Sequence, residues 1–288
     1  MIEKSLSAVK SLLSSDPAGR NLRVHAADTF IVSYPKSGNT WMLFLIANLV
    51  HPEQPATFLT ADRMIPAVHR QTERYFRTLP HPRLIKSHFA FDPNYRRVLY
   101  IVRDPRDVVV SQYYYQIKRG HIQEDYPLER YVSRFLAGDV SPYGSWAQHV
   151  GSWMVSRHSS PDFLLIRYED MLAHTTDRLA RTARFLGIEP SRERIQHAVE
   201  MSSADRMRRI EKVEADKWAL TKGSRQDIAF VRSAQAGGWK SAVPADSVAE
   251  IESAWGPLMR WLGYELIASA KQTAMDTELL ESAMGVSA

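Results

Sequence analysis

The chain has 288 residues, 44% of them apolar, and a formal net charge of +5. That length is enough for one large domain or two small ones. The absence of cysteine excludes disulfides and thiolate chemistry and argues against a structural zinc site. The modest positive surplus favours anionic ligands, but it does not by itself imply nucleic acid, and we expect no nucleic-acid partner.

The N-terminal segment predicts a short amphipathic helix rather than a targeting signal. Apolar residues from Leu6 to Leu13 are spaced for one helical face, and the segment lacks the apolar core of a signal peptide. The most apolar run, 41–50, is about half as long as a membrane span. We therefore expect a soluble, cytoplasmic protein without a membrane partner.

The stretch 29–50 predicts a strand, a tight polar turn and a helix. Residues 29–34 are rich in β-branched and aromatic side chains, which is typical of a buried strand. Residues 41–50 are apolar nearly all round and suit a buried helix. In this arrangement, free backbone N–H groups and the positive end of a helix dipole point at an anion.

The side chains of the turn favour phosphate. Gly38 would let the backbone approach a ligand closely, Ser37 and Thr40 would add hydroxyl donors, and Lys36 would add a full charge. The loop of nucleoside triphosphatases instead places a lysine directly after its second glycine, where this chain has Asn39. The turn therefore predicts a grip on one 5′-phosphate and its neighbouring group rather than on a triphosphate with magnesium.

A second short strand is predicted at 83–88, and it ends in polar residues. His88 lies at the carboxyl end, where open α/β sheets place their ligands. Lys86, two positions earlier, points to the same side of the strand. On residue type alone, His88 is more often a surface or capped residue than a catalyst. The stretch 61–82 before it mixes aromatic residues, arginine and proline, and predicts loops and short helices over a pocket.

The third strand is the continuous apolar run 97–102, which predicts a central parallel strand buried on both faces. A helix is predicted at 108–119, with Pro105 near its first turn. Arg103 leaves the strand end, and Ser111 lies one to two turns into the helix. Arginine binds phosphate with two parallel hydrogen bonds and a hydroxyl adds a donor, so this pair favours phosphate contact.

The remaining elements complete an α/β pattern without internal repeats. A fourth strand is predicted at 163–168, and 218–239 reads as a polar loop. Helices are predicted at 127–136, 146–157, 176–186, 191–201, 205–214 and 244–262. We predict a P-loop-like three-layer sandwich, in which a central parallel sheet is flanked by helices.

The tract YPKSGNTW, residues 34–41, closely resembles the 5′-phosphosulfate loop of the sulfotransferases that use 3′-phosphoadenosine 5′-phosphosulfate (PAPS). The segment from Arg103 to Ser111 resembles that family's 3′-phosphate site, including the eight-residue step between the two. The resemblance spans roughly 29–264. It implies one cytosolic-type sulfotransferase domain over 1–288, with a core at about 29–264, an N-terminal helical extension at 1–28 and a C-terminal tail at 265–288.

The resemblance implies a role for each matching residue. His88 would be the general base, Lys36 and Lys86 would stabilise charge on the bridging oxygen, and the reaction would need no metal. We also expect the rate to fall below about pH 6.5 as the imidazole protonates. Residues implied to bind the nucleotide are Lys36, Ser37, Gly38, Asn39, Thr40, Trp41, Arg103, Ser111, Tyr168, Ser202, Arg232 and Gly237.

Some positions depart from the family pattern. The tract VRSAQAGGWK, residues 231–240, matches the loop that closes over the 3′-phosphate at Arg232, Gly237 and Trp239. Ser233 and Ala234 replace a lysine and a glycine, which removes one charge from the site. Near the adenine side, Ala204 replaces an aromatic residue.

The acceptor is expected to be a small molecule with a hydroxyl or amine group and an apolar or aromatic body. Aromatic side chains near the predicted site suggest this, namely Tyr75, Phe76, Phe89 and Trp146. Nothing in the sequence separates a phenol from a sterol, a lipid or a peptide side chain. The sequence also carries no signal for the oligomeric state. A P-loop kinase and a nucleotide-binding scaffold without activity are the alternatives.

Overall fold

A computed structural model describes residues 16–267 of the chain. The predicted helix near the N-terminus and most of the predicted C-terminal tail therefore lie outside the described residues. The centre of the fold is a parallel sheet with the strand order β2-β1-β3-β4. Its strands are β1 (Thr29–Ser33), β2 (Leu84–Ser87), β3 (Arg97–Val102) and β4 (Phe163–Arg167).

Helices cover both faces of the sheet. In chain order they are α1 (Asn39–Val50), α2 (Phe58–Met64), α3 (Glu73–Thr78), α4 (Pro105–Lys118), α5 (Leu128–Ala137), α6 (Trp146–Arg157), α7 (Tyr168–Ala173), α8 (Thr175–Phe185), α9 (Arg192–Met201), α10 (Ala204–Glu214), α11 (Trp239–Ala242) and α12 (Ala245–Trp261). No helix within 16–267 is both long and apolar enough to cross a bilayer.

The alternation of side chains along β1 separates the core into two layers. Phe30 and Val32 pack on one face of the sheet, with apolar residues of α4, α5, α6 and α12. Ile31 packs on the other face, with residues of α1, α2, α8 and α9. Because β1 is buried on both faces, it reads as a continuous apolar run in the sequence. The predicted three-layer α/β architecture is confirmed.

The sheet order places a crevice beside β1. The chain passes from β1 to β2 on one side and then crosses to β3 on the other side. The loops after β1 and β3 therefore run apart at the carboxyl edge, which is where parallel sheets bind ligands. β1 is in register with β3 from Thr29 opposite Arg97 to Ser33 opposite Ile101, so both strands deliver their following loops to one place.

A buried ionic cluster holds α4 against the last helix. Arg106 lies 2.7 Å from Asp104 and 2.5 Å from Glu252, and its guanidinium stacks over Trp239 at 3.8 Å. Asp107 accepts hydrogen bonds from the backbone N–H groups of Gly237 and Trp239. Asp104, Arg106 and Asp107, which follow Arg103 in the sequence motif, thus tie α4 to α12 and to the loop that ends at Gly238.

We predict that Gly38→Ala destabilises the protein much more than Gly187→Ala does. Both glycines have positive φ, +96° and +74°, so both alanines meet similar backbone strain. Only at Gly38 would the new Cβ also approach the Tyr168 ring, at 2.4 Å from Cδ2. Forcing a methyl group into packed surroundings costs about 1–3 kcal/mol. Urea denaturation of both variants measures the difference, and equal losses would show that this close approach is unimportant.

Candidate active site

A cavity of about 620 Å³ opens at the carboxyl edge of the sheet. Its walls come from the loop after β1, the end of β2, helix α4 and the segment 230–234. Five cationic side chains line it, namely Lys36, Arg70, Lys86, Arg103 and Arg232. Among the described residues, no aspartate or glutamate lines the cavity. Such a cavity favours an anionic ligand.

The turn before α1 has the form of an anion-binding loop. Gly38 precedes the helix with positive φ, and Lys36 also takes a left-handed conformation at φ +69°. Ser37 is fully buried, and its hydroxyl has no hydrogen-bond partner among the described residues. A buried hydroxyl without a partner is costly, so a ligand oxygen there would satisfy it. Asn39 also lines the cavity, but its side-chain amide is used within the fold, because it donates to Ser33 Oγ at 3.2 Å.

Lys36 lies between two aromatic rings. Its Nζ is 4.3 Å from the centroid of the Tyr115 ring and 4.0 Å from that of Phe230, an arrangement that stabilises an ammonium group. Burial, and then the positive charge of Arg103, lowers the Lys36 pKa to about 7. Burial also lowers the pKa of Lys86 to about 8. An anion in the cavity would favour the charged form of both amines.

The ring of His88 has a defined orientation. Its Nδ1 lies 2.7 Å from the carbonyl oxygen of Ser33. A carbonyl can only accept, so Nδ1 carries the hydrogen and Nε2 is left with a lone pair. Burial, followed by the charges of Lys86 and His69, holds the His88 pKa well below its usual value. The ring is therefore neutral at pH 7 and able to accept a proton at Nε2.

A buried chain of hydrogen bonds fixes the backbone beneath this imidazole. His149 donates from Nε2 to the carbonyl oxygen of His88 at 3.0 Å, and its Nδ1 lies 2.8 Å from the Tyr100 hydroxyl. The two contacts agree on one tautomer, in which Nδ1 accepts from the hydroxyl. Nothing in the sequence predicts this role of His149, since only the fold brings α6 beneath the end of β2.

Arg103 reaches the cavity from the end of β3. It donates to the carbonyl oxygen of Gln235 at 2.9 Å and lies over the Tyr168 ring at 4.3 Å. Its buried Nε has no partner among the described residues, and Ser111 lines the same wall. The motif from Arg103 to Ser111 therefore directs both side chains to one cavity, as the sequence predicts.

The segment carrying Arg232 is held in place from α10. Glu211 accepts hydrogen bonds from the backbone N–H groups of Phe230 and Val231, and Arg208 donates to the carbonyl oxygens of Val231 and Arg232. Gly237 does not line the cavity, because Asp107 holds its N–H away from it. Its contribution is to the shape of the loop.

On the opposite wall, Trp41 and Tyr168 stand edge to face at 5.9 Å between ring centroids. Thr40 and Ser202 also line this part. The Ser202 hydroxyl is already used within the fold, because it accepts from Asn48 and donates to the Ala198 carbonyl. The indole N–H of Trp41 donates to the Ser202 carbonyl and fixes the position of this ring.

The four aromatic residues predicted to contact the acceptor do not line the cavity. Phe76 is fully buried beneath Arg83, and Trp146 is buried against Trp255. Tyr75 faces α2, with its hydroxyl 3.5 Å from the Arg63 carbonyl. Phe89 is turned toward the core, where Arg20 covers it. For Phe89, which follows His88 directly, the reason is that successive side chains of an extended chain leave on opposite faces.

Other residues occupy the acceptor side. The rings of His69 and Tyr143 lie 5.3 Å and 5.7 Å from the His88 ring, between centroids. Arg70 and Gln112 line the cavity next to them. The sequence predicted a pocket over 61–82 without identifying these side chains, because 67–70 reaches the site through a single bridge between Ala67 and Lys86.

The fold and the site define a protein with a cationic cavity at the carboxyl edge of a parallel sheet, beside a neutral imidazole. A model of the sulfotransferase domain matches residues 26–263. The chain belongs to the sulfotransferase domain family.

Relatives and solved structures agree with this assignment. The chain is 28% identical over 225 residues to a 3-beta-hydroxysteroid sulfotransferase of Cavia porcellus, covering 74% of this chain and 77% of that one. It is 30% identical over 244 residues to sulfotransferase 2B1 of Homo sapiens, covering 80% and 66%. A mouse sulfotransferase complexed with PAP, the nucleotide that remains when PAPS loses its sulfuryl group, has a TM-score of 0.68 at 23% identity. The match covers 87% of this chain and 91% of that one. Retinol dehydratase with retinol and PAP has a TM-score of 0.69 at 20% identity, covering 84% of each chain.

We predict that His88 in the free protein is a neutral, Nδ1-protonated imidazole that stays neutral below pH 6.5. Protonation would add a charge in a half-buried site beside Lys86, so the pKa is lowered. Imidazole ¹⁵N spectra across a pH titration, assigned with His88→Asn, measure both properties. Lys86→Met should raise the pKa, whereas the exposed control Lys222→Met should leave it unchanged. An Nε2-protonated ring, or an ordinary pKa, would contradict the assignment of the base.

Proposed function

We propose that this protein transfers a sulfuryl group from PAPS to a hydroxyl or amine group of a small-molecule acceptor. The observation that carries the proposal is one cavity in which the Nε2 of a neutral His88 lies among cationic side chains and no described carboxylate. Family membership supports the same chemistry. The nucleotide, when bound, supplies an activated sulfuryl group at its 5′ end.

The residues present fit the 5′ end of this nucleotide. The buried Ser37 hydroxyl lacks a partner among the described residues, and a ligand oxygen would satisfy it. Backbone N–H groups at the start of α1 face the same point, so they would hold the 5′-phosphate at the positive end of the helix dipole. Lys36, Asn39 and Thr40 belong to this turn, although Asn39 serves it from the protein side.

The residues also fit a 3′-phosphate and an adenine. Arg103, Ser111 and Arg232 would hold the phosphate, with the unpartnered Nε of Arg103 as a further donor. The adenine would lie against Trp41 and Tyr168, which both line the cavity. Ala234 has φ +51°, a conformation that glycine adopts without strain, which explains why the family pattern has glycine there.

His88 would take the acceptor proton at Nε2 as the acceptor oxygen attacks the sulfur. The bond between sulfur and the bridging oxygen breaks at the same time, and its electron pair stays on the nucleotide. Lys36 and Lys86 would stabilise the charge that builds on this oxygen. The Ser33 carbonyl keeps the ring in the tautomer that this step requires.

The low His88 pKa corrects one expectation. The sequence led us to expect that the rate falls below about pH 6.5, where an ordinary imidazole protonates. Burial and the Lys86 charge favour the neutral ring, so the acid limb of kcat/KM, which reports the free protein, is expected below that pH. The bound nucleotide is anionic and would raise the pKa again, so the limb of kcat is expected at higher pH than that of kcat/KM.

The geometry disfavours the kinase alternative. A P-loop kinase needs a lysine where Asn39 lies, and the Asn39 amide points inward to Ser33. The scaffold alternative predicts nucleotide binding without transfer, so a transfer assay separates it from the proposal. Labelled PAPS with a panel of phenols, alcohols and amines tests the proposed activity, and the absence of transfer to every class would favour the scaffold.

We predict that His88→Asn lowers kcat by about 10²–10⁴-fold, the usual contribution of a general base. Asparagine is similar in size and can hydrogen bond to Ser33, but it cannot accept the acceptor proton. Nucleotide affinity should be nearly unchanged, because His88 lies on the acceptor side. Initial rates with a weakly acidic alcohol and calorimetry with PAP measure the two effects.

His158→Asn is the matched control, since His158 is exposed on the far end of α6, and it should keep the wild-type rate. If His88→Asn kept that rate as well, His88 would have no part in proton transfer.

A further inference from the structure

The acceptor half of the cavity holds a cation that the proposed reaction does not use. Lys36, Lys86, Arg103 and Arg232 are assigned to a nucleotide that carries roughly three to four negative charges at neutral pH. Arg70 lines the same cavity and follows His69, whose ring lies beside that of His88. The positive charge near the acceptor therefore exceeds what the nucleotide requires.

Backbone contacts fix the position of Arg70. Ala67 forms a bridge with Lys86, and the N–H of Arg70 donates to the Ala67 carbonyl at 3.0 Å. This turn holds 67–70 against the end of β2, two residues before His88. The neighbouring His69 ring lies 5.3 Å from that of His88. Arg70 is thus held close to the point where the acceptor must present its nucleophile.

The Arg70 guanidinium has unused donors. Its nearest carboxylate is Asp62, at 3.5 Å, and the same Asp62 oxygen accepts a 2.8 Å hydrogen bond from the Trp218 indole. Among residues 16–267, the Arg70 side chain donates no hydrogen bond of good geometry. An arginine carries five N–H donors in a planar fork that matches a carboxylate. Asp62 offsets part of the charge, but it leaves most of these donors available.

The surroundings of Arg70 are aromatic. Tyr115 and Tyr143 line the cavity. Burial raises the pKa of both phenols, and the Arg70 charge is close enough to oppose that rise. The charge of Arg70 also contributes to the lowered pKa of His69 and Lys86, after burial. Tyr143, whose ring lies 5.7 Å from that of His88, and Tyr115 therefore supply aromatic surface near Arg70.

We propose that the acceptor is an aromatic alcohol that carries a carboxylate, and that Arg70 binds this carboxylate while His88 faces the hydroxyl. The inference rests on the proposed function for the role of His88, but binding of the carboxylate at Arg70 is a separate property. Arg70 would thus determine which acceptors are used, whereas the chemistry of transfer would not depend on it. A neutral sterol would leave the guanidinium fork without a partner.

Matched acceptors test the proposal. The transfer rates are compared for para-hydroxyphenylpropionate and its methyl ester, which differ in charge but share the reacting phenol. We expect kcat/KM for the acid to exceed that for the ester by about tenfold or more, as for a hydrogen bond between charged groups. Shorter homologues, para-hydroxyphenylacetate and para-hydroxybenzoate, locate the distance from the phenol at which the preference is greatest.

Variants test whether Arg70 causes the preference for the acid over the ester. Arg70→Gln should remove the preference by raising KM for the acid, with little change for the ester, and Arg70→Lys should keep part of it. Arg74→Gln removes the same charge from an exposed position on the neighbouring helix α3 and should keep the full preference. Thermal unfolding of each variant confirms that it is folded. Equal rates for acid and ester, or a preference that survives Arg70→Gln, would overturn the proposal.

A binding measurement separates this proposal from the proposed function. Calorimetry of the acid and the ester with PAP-loaded protein reports carboxylate binding without any transfer. Tighter binding of the acid that is lost in Arg70→Gln supports the role of Arg70, even if no acceptor is sulfated and the proposed activity fails. Sulfation of the ester and the acid at the same rate would leave the activity intact and refute the role of Arg70.

Discussion

The site depends on keeping several cations together in a cavity that no described carboxylate lines. Like charges in a partly buried space destabilise one another, and burial adds the cost of lost hydration. Aromatic faces and carbonyl oxygens offset part of this cost. Lys36 lies between Tyr115 and Phe230, and Arg103 lies over Tyr168 and donates to the Gln235 carbonyl. The part of this cost that is not offset, from burial and from the Arg103 charge, lowers the pKa of Lys36. An anionic nucleotide would relieve it.

Much of the surrounding structure holds these cations in position. Glu211 fixes the segment that carries Phe230, and Asp107 fixes the loop that ends at Gly238. Asp104, Arg106 and Glu252 hold the start of α4, from which Ser111 reaches the cavity. These carboxylates thus bind backbone N–H groups or buried arginine. Two cations of the cavity have a carboxylate only at longer range, since Arg103 lies 3.8 Å from Asp107 and Arg70 lies 3.5 Å from Asp62.

The sequence predicted the parts of the site whose position follows from local geometry. Lys36 to Thr40, His88 and Arg103 each follow a parallel strand, and such strand ends meet at one edge of a sheet. The acceptor side could not be predicted in this way. Arg70 and Tyr143 lie in loops whose paths depend on contacts distant in sequence, such as the bridge between Ala67 and Lys86. Aromatic residues were predicted there, yet Phe76 and Trp146 supply the core instead.

The central claim is that the cavity is built for a nucleotide with a 3′-phosphate. Calorimetric titration of the protein with PAP, and separately with ATP and magnesium, tests it most directly. Contacts from Arg103, Ser111 and Arg232 should contribute about 1.5–3 kcal/mol for each hydrogen bond to a charged group. PAP is therefore expected to bind at least about tenfold more tightly than ATP with magnesium. Tighter binding of ATP with magnesium would contradict it.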